Sequence, residues 1–333
     1  MNRTKLVSVA KKLVAPGKGI LAADESSGTI KKRLDSINVP STQRNRRDWR
    51  ELLFATKGIG EFISGVILFD ETIRQKAKSG TPFPKLLRLR GIIPGIKVDK
   101  GVHPLVGFPQ EKVTEGLDGL RERLEEYVKL GVGFTKWRAV ITVGRGIPTQ
   151  ACIDANAHAL ARFAALSQEA GLVPIVEPEV LMEGKHTITR HEHATAQTLK
   201  AVFAELKKYR VLLGGMLLKP SMVASGLAAA QQVSPEVVAR ATIRTFRTTV
   251  PFAVPGIMFL SGGLTPEDAT VNLNALNSIG KQPWELSYSF GRALQGEALK
   301  TWGGEQVNVA AAQEEFYRRA QLVSAGRSGR LRD

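Results

Sequence analysis

The sequence predicts an α/β fold, a (β/α)8 barrel in a single domain, from three observations: eight short apolar, β-branched runs, helical periodicity between them, and charged residues at the run ends. The runs occupy 19–24, 64–70, 92–97, 133–138, 173–178, 216–219, 257–261 and 284–290. Their ends are 27 to 46 residues apart, room each time for one helix and two loops. Between them, Leu199, Val202, Phe203 and Leu206 fall at i, i+3, i+4 and i+7, as do Leu120, Leu124 and Tyr127 in part. Ser234-Pro235-Glu236 and Thr265-Pro266-Glu267 read as helix starts, and Gly171 and Gly280 as stops. A doubly wound open sheet is the competing arrangement.

Composition narrows the function classes. The 333 residues carry 47 Lys and Arg against 31 Asp and Glu, a net charge of +16, with 43% hydrophobic residues, which excludes wholesale disorder. A single cysteine, Cys152, can form no internal disulfide and points to a reducing, cytoplasmic setting. No uninterrupted apolar stretch reaches 18 residues, and Lys5, Lys11, Lys12 and Lys18 break the N-terminal segment, so neither a membrane partner nor secretion is expected. No linker divides residues 1–333; a short basic tail at about 323–333, with Arg327, Arg330 and Arg332, reads as a solvated end. The positive balance suits nucleic acid or a phosphate ester. Arg44, Arg46, Arg47 and Arg50 cluster around Trp49, but no aromatic and basic interleaving of an RNA-binding sheet is present, so nucleic acid is not the expected partner.

The charged run ends carry the chemistry. The first run ends in Asp24, the third leads to Lys97 and Asp99, the fourth to Lys136 and Arg138, the fifth to Glu177 and Glu179, and the sixth to Lys219. Each pair is spaced by two, the side-chain period of a strand, so its members share a face. Charges facing into a barrel cost several kcal/mol unless paired or hydrated, which points to a site that needs them. Lys219 follows an apolar run. An amine of ordinary pKa ~10.4 attacks carbonyls poorly at neutral pH unless desolvation or a neighbouring cation favours its free base, and Lys136 and Arg138 can supply that cation. Such a lysine forms Schiff bases; snorkelling to solvent is the other reading. Ser261-Gly262-Gly263 and Ser289-Phe290-Gly291-Arg292, after the last two runs, offer backbone N–H groups and a guanidinium to a phosphate.

Seven ordered motifs then give a resemblance: GKGILAADESSGTI at 17–30, GIKVDKG at 95–101, FTKWRAV at 134–140, VPIVEPEV at 173–180, LLKPSM at 217–222, FLSGG at 259–263 and GRALQ at 291–295. From about residue 5 to 320 the chain resembles class I fructose-1,6-bisphosphate aldolase. The resemblance implies a TIM barrel and a metal-independent aldolase of glycolysis and gluconeogenesis, without cofactor, in which Lys219 forms the imine with the ketone of the sugar phosphate. It implies Glu177 as acid and base for imine formation with Glu179 in support, Lys136 as the neighbouring charge that keeps Lys219 reactive, and Asp24 as a participant in removing the proton of the fourth-carbon hydroxyl. One phosphate would lie on Ser261, Gly262, Gly291 and Arg292. The other, with the sugar hydroxyls, would meet Ser26, Thr29, Arg33, Lys97 and Arg138. A homotetramer is the family's usual assembly. Phe290 stands where many members have tyrosine, and Thr29 where serine is frequent. The sequence ends on an arginine-rich run where vertebrate-type members have a longer tail ending in tyrosine, which bears on enamine protonation and on bisphosphate preference.

Zinc is the enzymatic alternative, through His186, His191 and His193. On a helix His191 and His193 do not face one another, no carboxylate pair completes a set, and they read as exposed capping residues.

Overall fold

The computed structural model describes residues 2–331. Its strands, in chain order, are β1 (Gly19–Ala23), β2 (Ile63–Leu68), β3 (Ile93–Lys97), β4 (Gly101–Leu105), β5 (Phe108–Glu115), β6 (Phe134–Ile141), β7 (Val173–Val180), β8 (Leu217–Leu218), β9 (Gly256–Phe259) and β10 (Glu285–Phe290). Eight of them pair in parallel and close on themselves in the order β1-β10-β9-β8-β7-β6-β3-β2, the expected (β/α)8 barrel. Closure excludes the open sheet.

Alternate residues of each strand serve two cores. On β6, Thr135 bonds Ser167 at 2.8 Å and Trp137 stacks on Phe163 at 5.6 Å, both against the helix Gln150–Glu169 outside the barrel. Phe134, one position away from each period, turns inward with Ile20, Ala22, Ile67, Val173, Ile175, Leu217 and Met258. The amphipathic helix Arg3–Leu13 closes this interior layer from below with Leu6, Ala10 and Leu13. Room for the Phe134 ring comes from Gly95 on the neighbouring β3 and Gly65 on β2 beyond it: a Cβ at Gly95 would stand 2.3 Å from the ring, and one at Gly65 would stand 3.0 Å from it.

The periodic helices form where expected. Leu199, Val202, Phe203 and Leu206 are buried on Ile188–Lys208, and Leu120, Leu124 and Tyr127 on Leu120–Leu130. Thr265 caps Pro266–Ser278 by accepting from Asp268 N, whereas the Ser234 side chain makes no such bond at Pro235–Thr249.

Three expectations change. The antiparallel hairpin β4–β5 was not anticipated, because its residues are largely exposed and no apolar run marks it. The fourth and fifth runs continue to Ile141 and Val180, so their charges lie inside the strands. The expected tail from 323 begins too early: the helix Val309–Arg327 runs through it, with Val323 fully buried and Arg327 only 5% exposed. Ser324 donates to the Gly17 carbonyl and Arg327 to that of Val14, both at 2.6 Å. Those bonds satisfy carbonyls at the strand-entry end of the barrel, which turns this part of the basic run into structure. Arg332 and Asp333 lie outside the described residues.

Candidate active site

The strand register carries the inward face from hydrocarbon to charge. One period above Ala22 comes Asp24; above Phe134 come Lys136 and then Arg138; above Ile175 come Glu177 and Glu179; above Leu217 comes Lys219. Arg138 pairs in register with Glu177 on β7. These side chains meet in a cavity of about 1270 Å³ at the C-terminal mouth of the barrel. Every residue the sequence reading assigned to catalysis or substrate lines it: Asp24, Ser26, Thr29, Arg33, Lys97, Lys136, Arg138, Glu177, Glu179, Lys219, Ser261, Gly262, Gly291 and Arg292.

At its centre Glu177 joins two lysines. Its Oε1 lies 3.0 Å from Lys219 Nζ and its Oε2 lies 2.9 Å from Lys136 Nζ, which also donates to Asp24 Oδ2 at 3.0 Å. Lys136, Glu177 and Lys219 are each 3% exposed. Burial by itself would raise the Asp24 carboxyl, but the charges of Lys136 and Lys219 prevail and hold it well below the usual carboxylate range. Glu177 is lowered in the same way, burial opposing and Lys136, Lys219 and Arg138 prevailing. For Lys136, burial works against the charge, and Asp24 and Glu177 more than offset it, so its ammonium is held above the ordinary lysine value. The resting site is therefore two carboxylates held ionised by a lysine that stays cationic, with Lys219 against one of them.

Around this centre the remaining charges are ordered. Arg138 Nε donates to Glu179, and its backbone N–H donates to Asp99 Oδ2 at 3.2 Å. Lys97 Nζ donates to the Asp99 carbonyl at 2.9 Å. Ser26 and Thr29 hydroxyls are 3.2 Å apart at the start of the helix Ser27–Asp35. Gly262 has φ +45, and a Cβ there would stand 2.8 Å from both Leu260 and Met182, so the loop after β9 requires glycine. Arg292 is exposed at the start of the helix Arg292–Trp302.

A paired amine beside a carboxylate, at a mouth lined by cations and open glycine backbone, can carry imine chemistry on a phosphorylated carbonyl compound. Comparison with known proteins decides the family. The chain matches the family described as "Fructose-bisphosphate aldolase class-I" over residues 5–333. It is 54% identical to "Probable fructose-bisphosphate aldolase class 1" of Xanthomonas campestris pv. campestris, over 96% of each chain. It is 52% identical to "Fructose-bisphosphate aldolase 6, cytosolic" of Arabidopsis thaliana, over 98% of this chain and 91% of that one. Its fold superposes with TM-score 0.98 on the fructose-bisphosphate aldolase of Plasmodium falciparum, solved in complex with TRAP and a small-molecule inhibitor, at 48% identity over 99% of this chain and 96% of that one.

The chain belongs to the class I fructose-bisphosphate aldolases. It is thus a lyase for the reversible cleavage of fructose 1,6-bisphosphate in glycolysis, of the class characterised by a Schiff-base lysine. Membership accounts for the cations at the mouth better than the whole-chain charge could.

The sequence reading missed part of the lining. Glu25, Lys32, Lys100 and Arg123 face the same cavity. Glu25 was within reach, since it adjoins Asp24; Lys100 lies between Asp99 and the unanticipated hairpin, and Arg123 comes from a helix. Phe290 is fully buried against Tyr288, at 5.5 Å, and is absent from the cavity wall. The histidine reading changes as well. Thr187 caps Ile188–Lys208, which places His191 one turn in, fully buried and stacked at 5.3 Å on His186, while His193 is exposed. Burial lowers His191 to about 4. Among the described residues no group of three or more His, Cys, Asp or Glu is arranged to hold a metal ion.

Proposed function

We propose that Lys219 is the imine-forming residue and that the family's reaction proceeds here without a metal, through the proton inventory of Glu177. The contact between Lys219 Nζ and Glu177 Oε1 carries this reading. Both carboxylates rest ionised, so neither can donate a proton before it has accepted one. The Lys219 ammonium supplies it: transfer to Glu177 leaves a free amine to attack the ketone carbon and a carboxylic acid beside the carbinolamine. After the proton left on the attacking nitrogen moves to the carbinolamine oxygen, Glu177 protonates the hydroxyl, water departs, and the protonated imine and the Glu177 carboxylate remain. Asp24 accepts the proton of the fourth-carbon hydroxyl as the bond between the third and fourth carbons breaks. The electron pair moves to the imine nitrogen, releasing glyceraldehyde 3-phosphate and leaving the enamine of dihydroxyacetone phosphate.

Lys136 keeps the excess negative charge of Asp24 and Glu177 balanced throughout, and Glu179 orients Arg138. Ser261, Gly262, Gly291 and Arg292 take the phosphate on the first carbon; Ser26, Thr29, Arg33, Lys97 and Arg138 take the other phosphate and the hydroxyls. The reading extends to a cytoplasmic homotetramer, supported by the cytosolic Arabidopsis relative in compartment and testable in assembly by light scattering.

Borohydride reduction with dihydroxyacetone phosphate, followed by peptide mass spectrometry, tests the reading. An adduct on Lys219, absent from Lys219→Met and unaffected by EDTA, is expected; an adduct on another lysine, or none, would remove Lys219 from the mechanism.

A further inference from the structure

Arg50 is an arginine with almost no access to solvent, 2% exposed, on the helix Gln43–Ala55 outside the barrel. A buried guanidinium is strongly destabilising unless it is paired. Its neighbours in the basic cluster find other partners: Arg46 bonds Glu71 and Arg47 bonds Asp48. Arg50 instead reaches inward to Glu25, the residue between Asp24 and Ser26, and its Nη2 donates to Glu25 Oε2.

Glu25 is shared. Its Oε1 accepts from Arg33 Nη1 and, at 3.1 Å, from Gln295 Nε2. Gln295 is 1% exposed and braces the Glu25–Arg33 side of the unit: Nε2 also donates to the Ala22 carbonyl at 2.8 Å, and Oε1 accepts from Arg33 Nη1 at 3.3 Å. These bonds tie the end of β1 and the helices carrying Arg33, Arg50 and Arg292 into one body. Among the described residues Arg33 is thereby held by Nη1 alone, and its Nη2 lies 3.5 Å from where a Cβ of Gly291 would stand. One carboxylate between two guanidiniums leaves a net positive charge, and of the two only Arg33 lines the cavity.

From this geometry we infer that Arg50 and Gln295 are positioning residues: acting through Glu25, they hold Arg33 at the Gly291 end of the cavity to clamp a substrate phosphate. The inference rests on the sugar-phosphate reading of the site and revises it at one residue, moving Arg33 from the set around the second phosphate to the phosphate next to Gly291 and Arg292. A guanidinium's planar fork recognises phosphate oxygens only when it is oriented, which is what a carboxylate anchored from behind provides.

The test uses the full chain and a hexitol 1,6-bisphosphate, which has both phosphates but no carbonyl. Calorimetric Kd values are measured for Arg50→Met, Gln295→Leu, Arg33→Ala and the doubles with Arg33→Ala, beside kcat and KM for fructose 1,6-bisphosphate and fructose 1-phosphate. Gln295→Leu removes no charge and guards against an Arg50 variant that fails to fold. Each single positioning variant is expected to raise Kd and KM about tenfold, with kcat within about threefold, and by the same factor for both sugars, which share the phosphate at the Gly291 end. Combined with Arg33→Ala, either should add nothing, because it acts only through that side chain. Arg50→Lys should recover part of the loss. Additive losses, a fall in kcat at constant KM, or unchanged Kd would overturn the inference, and an effect confined to the bisphosphate would overturn the assignment to the Gly291 end. Borohydride trapping on Lys219 runs in parallel: its failure would strike the imine reading, while Kd for the carbonyl-free analogue still decides the clamp.

Discussion

The lower and upper halves of the barrel interior share the same strand faces, yet they are held together by opposite means. Below, Phe134, Ile175 and Leu217 are hydrocarbon at zero exposure, sealed by the helix Arg3–Leu13. One period of two higher stand Lys136, Glu177 and Lys219, equally buried and mutually paired. Apolar burial stabilises the lower layer outright. Buried ion pairs at best offset their own desolvation, so the upper layer contributes orientation more than stability. The strands can carry a charged layer because the same strands are anchored two residues earlier.

The sharpest way to break this pairing of layers is to separate activity from stability. Lys219→Met should lower turnover by ~10⁴-fold or more while circular dichroism stays native, because Glu177 keeps Lys136 as partner. Phe134→Ala should do the reverse in kind, removing about 3–5 kcal/mol of stability in denaturant unfolding, since the two glycines beside it leave nothing to fill the gap. A Phe134→Ala protein as stable as the parent would mean the lower layer is not the anchor.

A buried group without a charged partner sharpens the comparison. His191, beside the upper end of β7, bonds the Val180 carbonyl at 3.3 Å and is kept neutral by burial, then by the neighbouring His186, at about 4 against 6.5 for the free side chain. The unfolded chain therefore binds the proton that the native state refuses. His191 leaves stability intact above pH 6.5 and subtracts from it progressively as pH falls from about 6.5 to 4, by about 3 kcal/mol in full. His186, also lowered by burial, acts in the same direction. Asp24 and Glu177, lowered instead, lose their contribution only below the ordinary carboxylate range. Urea melts between pH 7 and 4 should show the first loss, and His191→Gln should flatten it; an unchanged slope in the variant would assign that loss elsewhere.

Much of this division was legible in the sequence, for a physical reason. A period of two with apolar residues followed by charge, as in Phe134, Lys136 and Arg138, specifies both the face and the change of layer. The loops after β9 and β10 were legible because glycines recur at two consecutive strand ends, the second time beside an arginine. What escaped was chemistry contributed from outside the strands. Arg50 reads as one more surface cation in a run of four, and only the fold brings it to Glu25. His191 read as a cap because the helix start was placed too late; Thr187 takes that position.

Within the upper layer the expected effects become smaller with distance from Lys219. Glu177→Gln should slow imine formation by roughly 10²-fold or more, measured as the single-turnover rate of borohydride-trappable adduct, since the amide can neither take the ammonium proton nor return it to the leaving hydroxyl. Normal adduct formation would move the acid–base role to another group.

Arg292→Ala tests the outermost edge, where the side chain is exposed. If its guanidinium binds phosphate equally in ground and transition states, KM should rise about tenfold with kcat nearly constant. The phosphate would then serve as a handle, held at the rim while Glu177 and Lys136 act at the centre. A fall in kcat at unchanged KM would mean that the rim tightens as the imine forms, which would make the exposed charge part of the catalytic layer and place its boundary at solvent.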